Sequence, residues 1–279
     1  MTIKNDVLPE IVIRPSSGWI DLRLCELWEC RELIWIFGWR DVSIRYTQTL
    51  LGILWAVIQP FLLMVVFSFV FGRFGHIPSE GHPYPIFSYT GILPWTLFSA
   101  TLVAVGSSVI NASQLVQKTY IPRLVFPLAS CVPPLVDFAF ASIVLIGLMA
   151  WYGVTPNLAV IMLPVFILFA VLAAFAFGIW IAVLNVYFRD FRYLLPFAVQ
   201  ILMFLSPVIY PVSVIDEHLR TIAAVNPMVP IIIGIRWCVL GTTAPNWPEI
   251  LTSSAIVFLA LFGGLEFFRR FERRFADVI

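Results

Sequence analysis

The sequence predicts an all-α, polytopic membrane protein: six transmembrane helices, an N-terminal amphipathic interface helix, and a short re-entrant helical pair before the last span. Three observations carry this. The 279 residues are 61% hydrophobic and only 12% charged, with a mean hydropathy of +0.95, roughly half the charge of an ordinary soluble domain. Residues 46–72, 81–117, 138–188 and 193–215 contain no Asp, Glu, Lys or Arg. A hydrocarbon core about 30 Å thick takes about 20 apolar helical residues to cross, so each shorter gap holds one crossing and the longest holds two. Finally, the charges between the runs fall unequally on the two sides of the membrane.

Residues 1–49 are expected to be cytoplasmic. The opening stretch, 1–14, is polar and mixed in charge rather than basic then apolar, so no cleaved signal peptide is expected and the first crossing directs insertion. Between residues 21 and 49, Leu22, Leu27, Trp28, Ile34, Trp35 and Trp39 alternate with Arg23, Glu26, Glu29, Arg31 and Glu32. Apolar residues at spacings of three and four, tryptophans among them, suit a helix lying along the interface. A solvated helix packed on a partner fits the same pattern.

The membrane domain, 50–268, is expected to cross at 50–71, 86–112, 124–151, 158–187, 194–212 and 250–268. Gly153, Pro156 and Asn157 split the longest apolar stretch by a turn. The segment 211–248 is too long for a plain loop and too interrupted for a span, with Asn226-Pro227, Pro230, Gly234, Gly241, Pro245 and Pro248. Irregular backbone at membrane depth needs protein or water around it, which predicts the re-entrant pair; a superficial amphipathic loop is the other reading. Residues 269–279 form a basic cytoplasmic tail.

Fourteen of the seventeen Lys and Arg residues fall on the side of the termini in this arrangement. Only Arg73, Arg220 and Arg236 lie opposite. The positive-inside rule therefore places both termini in the cytoplasm.

Much chemistry is excluded. The only lysines, Lys4 and Lys118, follow no glycine-rich loop, so this chain lacks a G-x-x-x-x-G-K-[ST] phosphate cradle and cannot hydrolyse ATP alone. No H-E-x-x-H, G-x-S-x-G or paired intramembrane carboxylate marks an enzyme. A net charge of +1 without a basic tract argues against a nucleic-acid partner. The four cysteines have no C-x-x-C spacing, and His76, His82 and His218 sit in loops, so no metal site is expected. Filter loops of a channel and matched broken helices of a secondary transporter are absent from the pattern. One carboxylate, Asp137, lies clearly within a crossing. Burial at the membrane centre costs about 2.5 to 3.5 kcal/mol, so it is expected to face protein or water and to find a donor, in a structural or a transport-coupling role.

Several stretches, read in order, carry a resemblance. They are Arg40-Asp41-Val42-Ser43-Ile44-Arg45-Tyr46 leading into Leu51-Gly52-Ile53-Leu54-Trp55 and Gln59-Pro60; Gly91, Pro94-Trp95 and Phe98-Ser99 with Asn111, Leu115-Val116, Lys118 and Ile121-Pro122-Arg123; then Asp137-Phe138, Arg189-Asp190-Phe191-Arg192, Ser206-Pro207-Val208-Ile209-Tyr210-Pro211, Asn226-Pro227 and Arg236. Together they resemble the membrane subunit of ABC-2 type exporters of lipid-linked polysaccharide, the family that exports O-antigen, some capsules and teichoic acids. The resemblance implies a half-transporter in a bacterial inner membrane. Two copies of the chain would form the pathway and two copies of a separate ATP-binding subunit, carrying the ATP and Mg, would drive it. It also implies an ATPase-coupling helix near 112–123, with Gln117, Lys118, Tyr120, Pro122 and Arg123; a basic anchor to anionic headgroups is the competing reading.

For a lipid pyrophosphate, Arg40, Arg45, Arg189 and Arg192 are the candidate contacts, because guanidinium binds phosphate oxygens in a bidentate way. Positive-inside anchoring explains the same residues. For a sliding sugar chain, aromatic faces along the first two spans are candidates: Trp55, Phe61, Phe67, Phe71, Tyr89, Trp95 and Phe98, with lipid-facing packing the alternative for each. The rival functions are a drug or lipid exporter of the same type and a polyprenyl-phosphate-using membrane enzyme.

Overall fold

A computed structural model describes residues 24–47, 49, 51–119, 121–214, 223–272 and 274–275. The expectations for residues 1–23 and for Tyr120, His218 and Arg220 lie outside the described residues, as do Arg273 and residues 276–279 of the basic tail. All regular elements among the described residues are helical.

Helix α1 (Leu24–Glu29) leads into α2 (Arg31–Thr47). Glu32 in the first turn and Arg45 in the last suit the helix dipole. One side of α2 is buried at Gly38 and Val42, and a Cβ on Gly38 would lie 2.6 Å from Val132 Cγ2, so the glycine permits close approach. Beside that stripe Trp35 and Trp39 are exposed and stacked at 5.9 Å.

Helix α3 (Leu54–Phe67) continues as a π-helical turn, Ser68–Phe74. Helix α4 (Tyr84–Asn111) returns, with Pro94 inside it. A short α5 (Ser113–Lys118) caps that end. Next come α6 (Val125–Ala129) and α7 (Val132–Tyr152), divided just before Pro133-Pro134, whose rings cannot donate to the preceding turn. Gly153, left-handed at φ 67°, terminates α7. The Asn157 side chain then caps a 3-10 turn, Leu158–Met162, that runs into α8 (Leu163–Tyr187). Helix α9 (Phe191–Leu205), α10 (Met228–Leu240) and α11 (Trp247–Glu272) complete the chain.

Among the described residues, five helical stretches are long and apolar enough to cross a membrane: Leu54–Phe74, Tyr84–Asn111, Val125–Tyr152, Leu158–Tyr187 and Trp247–Glu272. The protein is therefore a multi-pass, all-α membrane protein. The crossing expected at 194–212 differs. Its helix has 15 residues, about 22 Å, and stops at Ser206, which is extended at φ −99°, ψ 147°. The cause is Pro207, which disfavours helical backbone in the residue before it.

Helix α4 is the hub and packs against α3, α7, α8, α9 and α10. Small residues let the backbones approach. Gly178 of α8 meets Val105, and Gly106 of α4 meets Ile181, as membrane helices lacking a hydrophobic driving force require. Trp180 of α8 donates from Nε1 to the Ala260 carbonyl of α11 at 2.8 Å.

At the far end, the irregular 206–211 segment is held by α4 and α10. Tyr84 Oη donates to the Ile209 carbonyl at 2.8 Å, and Arg236 Nη2 donates to the Val208 carbonyl at 2.8 Å. Every residue of α10 except Trp237 is buried. A superficial amphipathic loop would keep one side exposed. These 13 residues instead form a helix about 20 Å long enclosed by protein.

Candidate functional site

The opposite end carries Arg40 and Arg45 on α2 and Lys118, Arg123, Arg189 and Arg192 at or near the connecting turns, and several of the site residues share a concavity there. A cleft of about 1000 Å³ opens between α2, the second half of α4, the break before α7, and α9. Its α4 wall is a stripe of small and hydroxyl residues at helical spacing: Thr96, Ser99, Ala100, Ala104, Ser107 and Asn111. The hydroxyls of Thr96 and Ser99 donate to the Leu93 and Thr96 carbonyls at 2.8 and 3.2 Å. They are satisfied within the helix while still lining a polar wall. Sequence reasoning missed this stripe as a unit; its signal is the three-and-four repeat of small polar residues in an otherwise apolar span.

Two of the four candidate arginines line the cleft. Arg40 donates from Nε and Nη2 to Asp41 Oδ1 at 3.1 and 2.8 Å, and its Cζ lies 5.1 Å from the Phe37 ring centroid. Arg45 Nη1 donates to Asp137 Oδ2 at 2.5 Å, and the Tyr46 hydroxyl donates to the other oxygen, Oδ1. The donor that an intramembrane acid requires is thus supplied from α2. A second cavity of about 160 Å³ lies beside the cleft and includes Asp137, Gln59, Pro60 and Phe138 in its walls. Arg189 and Arg192 are exposed in the α8–α9 turn and do not line the cleft.

The coupling-loop candidates are close in space to the tail. Gln117 and Lys118 are exposed at the end of α5, Pro122 and Arg123 are partly buried, and Tyr120 is outside the described residues. Arg123 Cζ lies 6.0 Å from the Phe275 ring centroid, and Phe275 is fully buried in the cluster that joins α4, α8 and α11.

The structure does not gather the seven aromatic candidates onto one surface. Trp55 and Phe61 are exposed on α3. Phe71 is partly buried against the core, and Phe67, Tyr89, Trp95 and Phe98 are inside it. Tyr89 Oη donates to the Ala141 carbonyl at 2.8 Å. The reason is position: Tyr89, Trp95 and Phe98 lie on α4, which other helices surround. No group of three or more His, Cys, Asp or Glu among the described residues could hold a metal.

A bundle of apolar helices with a part-polar cleft at its basic end suits a membrane-transport protein. The model of the ABC-2 type transporter family matches residues 32–240, and the chain belongs to that family. It is 28% identical over 258 residues to the O-antigen export system permease protein RfbA of Myxococcus xanthus, covering 91% of this chain and 98% of that one. Against RfbA of Klebsiella pneumoniae it is 26% identical over 250 residues, covering 89% and 95%. It is also similar to the polysialic acid transport protein KpsM of Escherichia coli, 21% identical over 240 residues, covering 84% and 91%.

Proposed function

We propose that this chain is the permease half-subunit of an exporter that moves lipid-linked polysaccharide, O-antigen in the first instance, across a bacterial inner membrane. The observation that carries it is the cleft at the basic end, where Arg40 and Arg45 stand against the hydroxyl-lined wall of α4. Guanidinium and hydroxyl groups bind phosphate oxygens, and an open, partly apolar cleft suits a headgroup whose lipid tail stays in the membrane. The near full-length likeness to permeases named for O-antigen and polysialic acid supports the polymer class.

In this reading two copies face one another across the exposed sides of α3 and α9, where Trp55, Phe61, Phe197 and Phe204 are free. Two separate ATP-binding subunits supply ATP and Mg and seat against α5 and its flanking loop. Both termini are cytoplasmic, with residues 1–49 and 269–279 on that side. The re-entrant helical pair falls within 211–248, includes α10, and closes the far end. The experiment is depletion of the chain in its own cell. Polymer should vanish from the surface while the lipid-linked form accumulates inside, and restored expression should reverse both. Normal surface polymer after depletion, or a reporter fused to Ile279 active outside the cell, rejects the reading.

A further inference from the structure

The Arg45–Asp137 pair stands between two cavities. Arg45 lines the outer cleft only and Asp137 the inner cavity only, whereas Gln59, Thr96 and Ala100 line both. The pair joins the last turn of α2 to the first half of α7, across 92 residues of sequence. On Arg45, the Asp137 carboxylate occupies a place that a phosphate oxygen would take. The side chains are 45% and 24% exposed, so the bond lies within reach of a competing anion rather than sealed in the core.

A carboxylate and a phosphate compete for the same planar fork of N–H donors, and the phosphate brings more charge and more acceptor oxygens. A partly solvated ion pair is weak enough to be exchanged. We infer that Asp137 is an internal competitor for the anionic headgroup. It holds Arg45 across the opening between the cavities while the cleft is empty, and yields the guanidinium when a phosphate or pyrophosphate group arrives, which joins the inner cavity to the outer one. The Tyr46 hydroxyl, bonded to the other carboxylate oxygen, keeps the intramembrane acid from losing every donor when Arg45 leaves. Arg40 has no such link, because its partner Asp41 is the adjacent residue. Asp137 is thus a positioning residue that sets the threshold for occupancy, an inference that rests on the headgroup reading of the cleft.

The test uses the full chain in phosphatidylcholine nanodiscs and measures dissociation constants for polyprenyl pyrophosphate placed in the disc and for inorganic pyrophosphate in solution. Asp137→Asn should bind about fivefold tighter or better than the unsubstituted chain. Arg45→Gln should lose binding, and adding Asp137→Asn to it should change nothing further. The same ranking with both probes assigns recognition to the phosphate alone; a ranking seen only with the polyprenyl form assigns it to the lipid-attached group, and either supports the inference. Equal or weaker binding by Asp137→Asn, beside clear binding by the unsubstituted chain that Arg45→Gln abolishes, overturns the inference and leaves the headgroup reading intact. Arg45→Gln binding as well as the unsubstituted chain overturns both. A second measurement needs no variant: labelling of Asp137 by a hydrophobic carbodiimide, located by mass spectrometry, should rise with polyprenyl pyrophosphate, and unchanged labelling at saturation counts against the exchange.

Discussion

The guanidinium carbon of Arg236 lies 3.8 Å from the centroid of the Phe87 ring, while its two terminal nitrogens donate to the Val208 and Tyr210 carbonyls. One side chain of α10 thereby ties the irregular 206–211 segment to the first turns of α4. Arginine suits the place because it can present its face to an aromatic ring and its edge to carbonyls at once.

Replacing Arg236 by Leu leaves those two carbonyls without their donor and removes the ring contact. A loss of about 3 kcal/mol of stability is expected, with Arg236→Lys retaining part of it through a single donor. Thermal unfolding of the purified chain in detergent checks this, and unchanged melting of the Leu variant contradicts the clamp.

Gly91 is the partner of this knot on α4. A Cβ there would lie 2.6 Å from the Val208 carbonyl oxygen and 2.8 Å from Arg236 Nη2, so Gly91→Ala must push the segment outward. A cost of roughly 1 to 3 kcal/mol follows from overpacking. It should be smaller in an Arg236→Leu background, because part of the clash is already gone. A double-mutant cycle in the melting assay reads the coupling, and strict additivity argues against it.

Trp55 and Trp95 should separate cleanly. Trp95 is 3% exposed and Trp55 46%. Trp95→Ala is expected to destabilise the chain by about 3 to 5 kcal/mol, whereas Trp55→Ala should leave melting nearly unchanged and slow polymer export. Expression-normalised surface polymer, measured beside unfolding, distinguishes them. Equal export by Trp55→Ala removes it from the path.

Arg123 and Phe275 should act together. Substituting either by Ala breaks their contact, and each variant should reduce stimulation of the partner's ATPase by substrate to a similar degree. The double variant should be no worse than the singles. Full stimulation in Arg123→Ala assigns the loop to membrane anchoring instead.

Much of the fold was legible because charge is so costly in hydrocarbon that it marks where the chain leaves it. The donor required by Asp137 follows from the same cost, although its identity as Arg45 depends on how α2 lies against α7. What could not be read was the rotation of each helix. On α4 the polar repeat marks the cleft wall, but Ser88, Thr90 and Thr101 are buried too, so polarity did not tell that Tyr89, Trp95 and Phe98 turn inward; α3 is apolar nearly all round and hid that Trp55 and Phe61 face out. The ends of α9 and α10 depended on Pro207 and on the burial of Arg236. That arginine read as one of three charges opposite the termini and as part of the family resemblance, whereas an Arg within the apolar run of Met228–Leu240 also signals a partner nearby.

Pro94 has a consequence of its own. Its ring cannot close the helical bond to Thr90, so it breaks the backbone ladder of α4 between Gly91, which abuts the Arg236 knot, and Thr96, where the cleft wall begins. The cleft wall and the Arg236 knot are therefore attached to separate halves of one rod with a joint in the middle. A tilt of the half that carries the cleft can be absorbed at that joint before it strains the contacts of Gly91 with Val208 and Arg236.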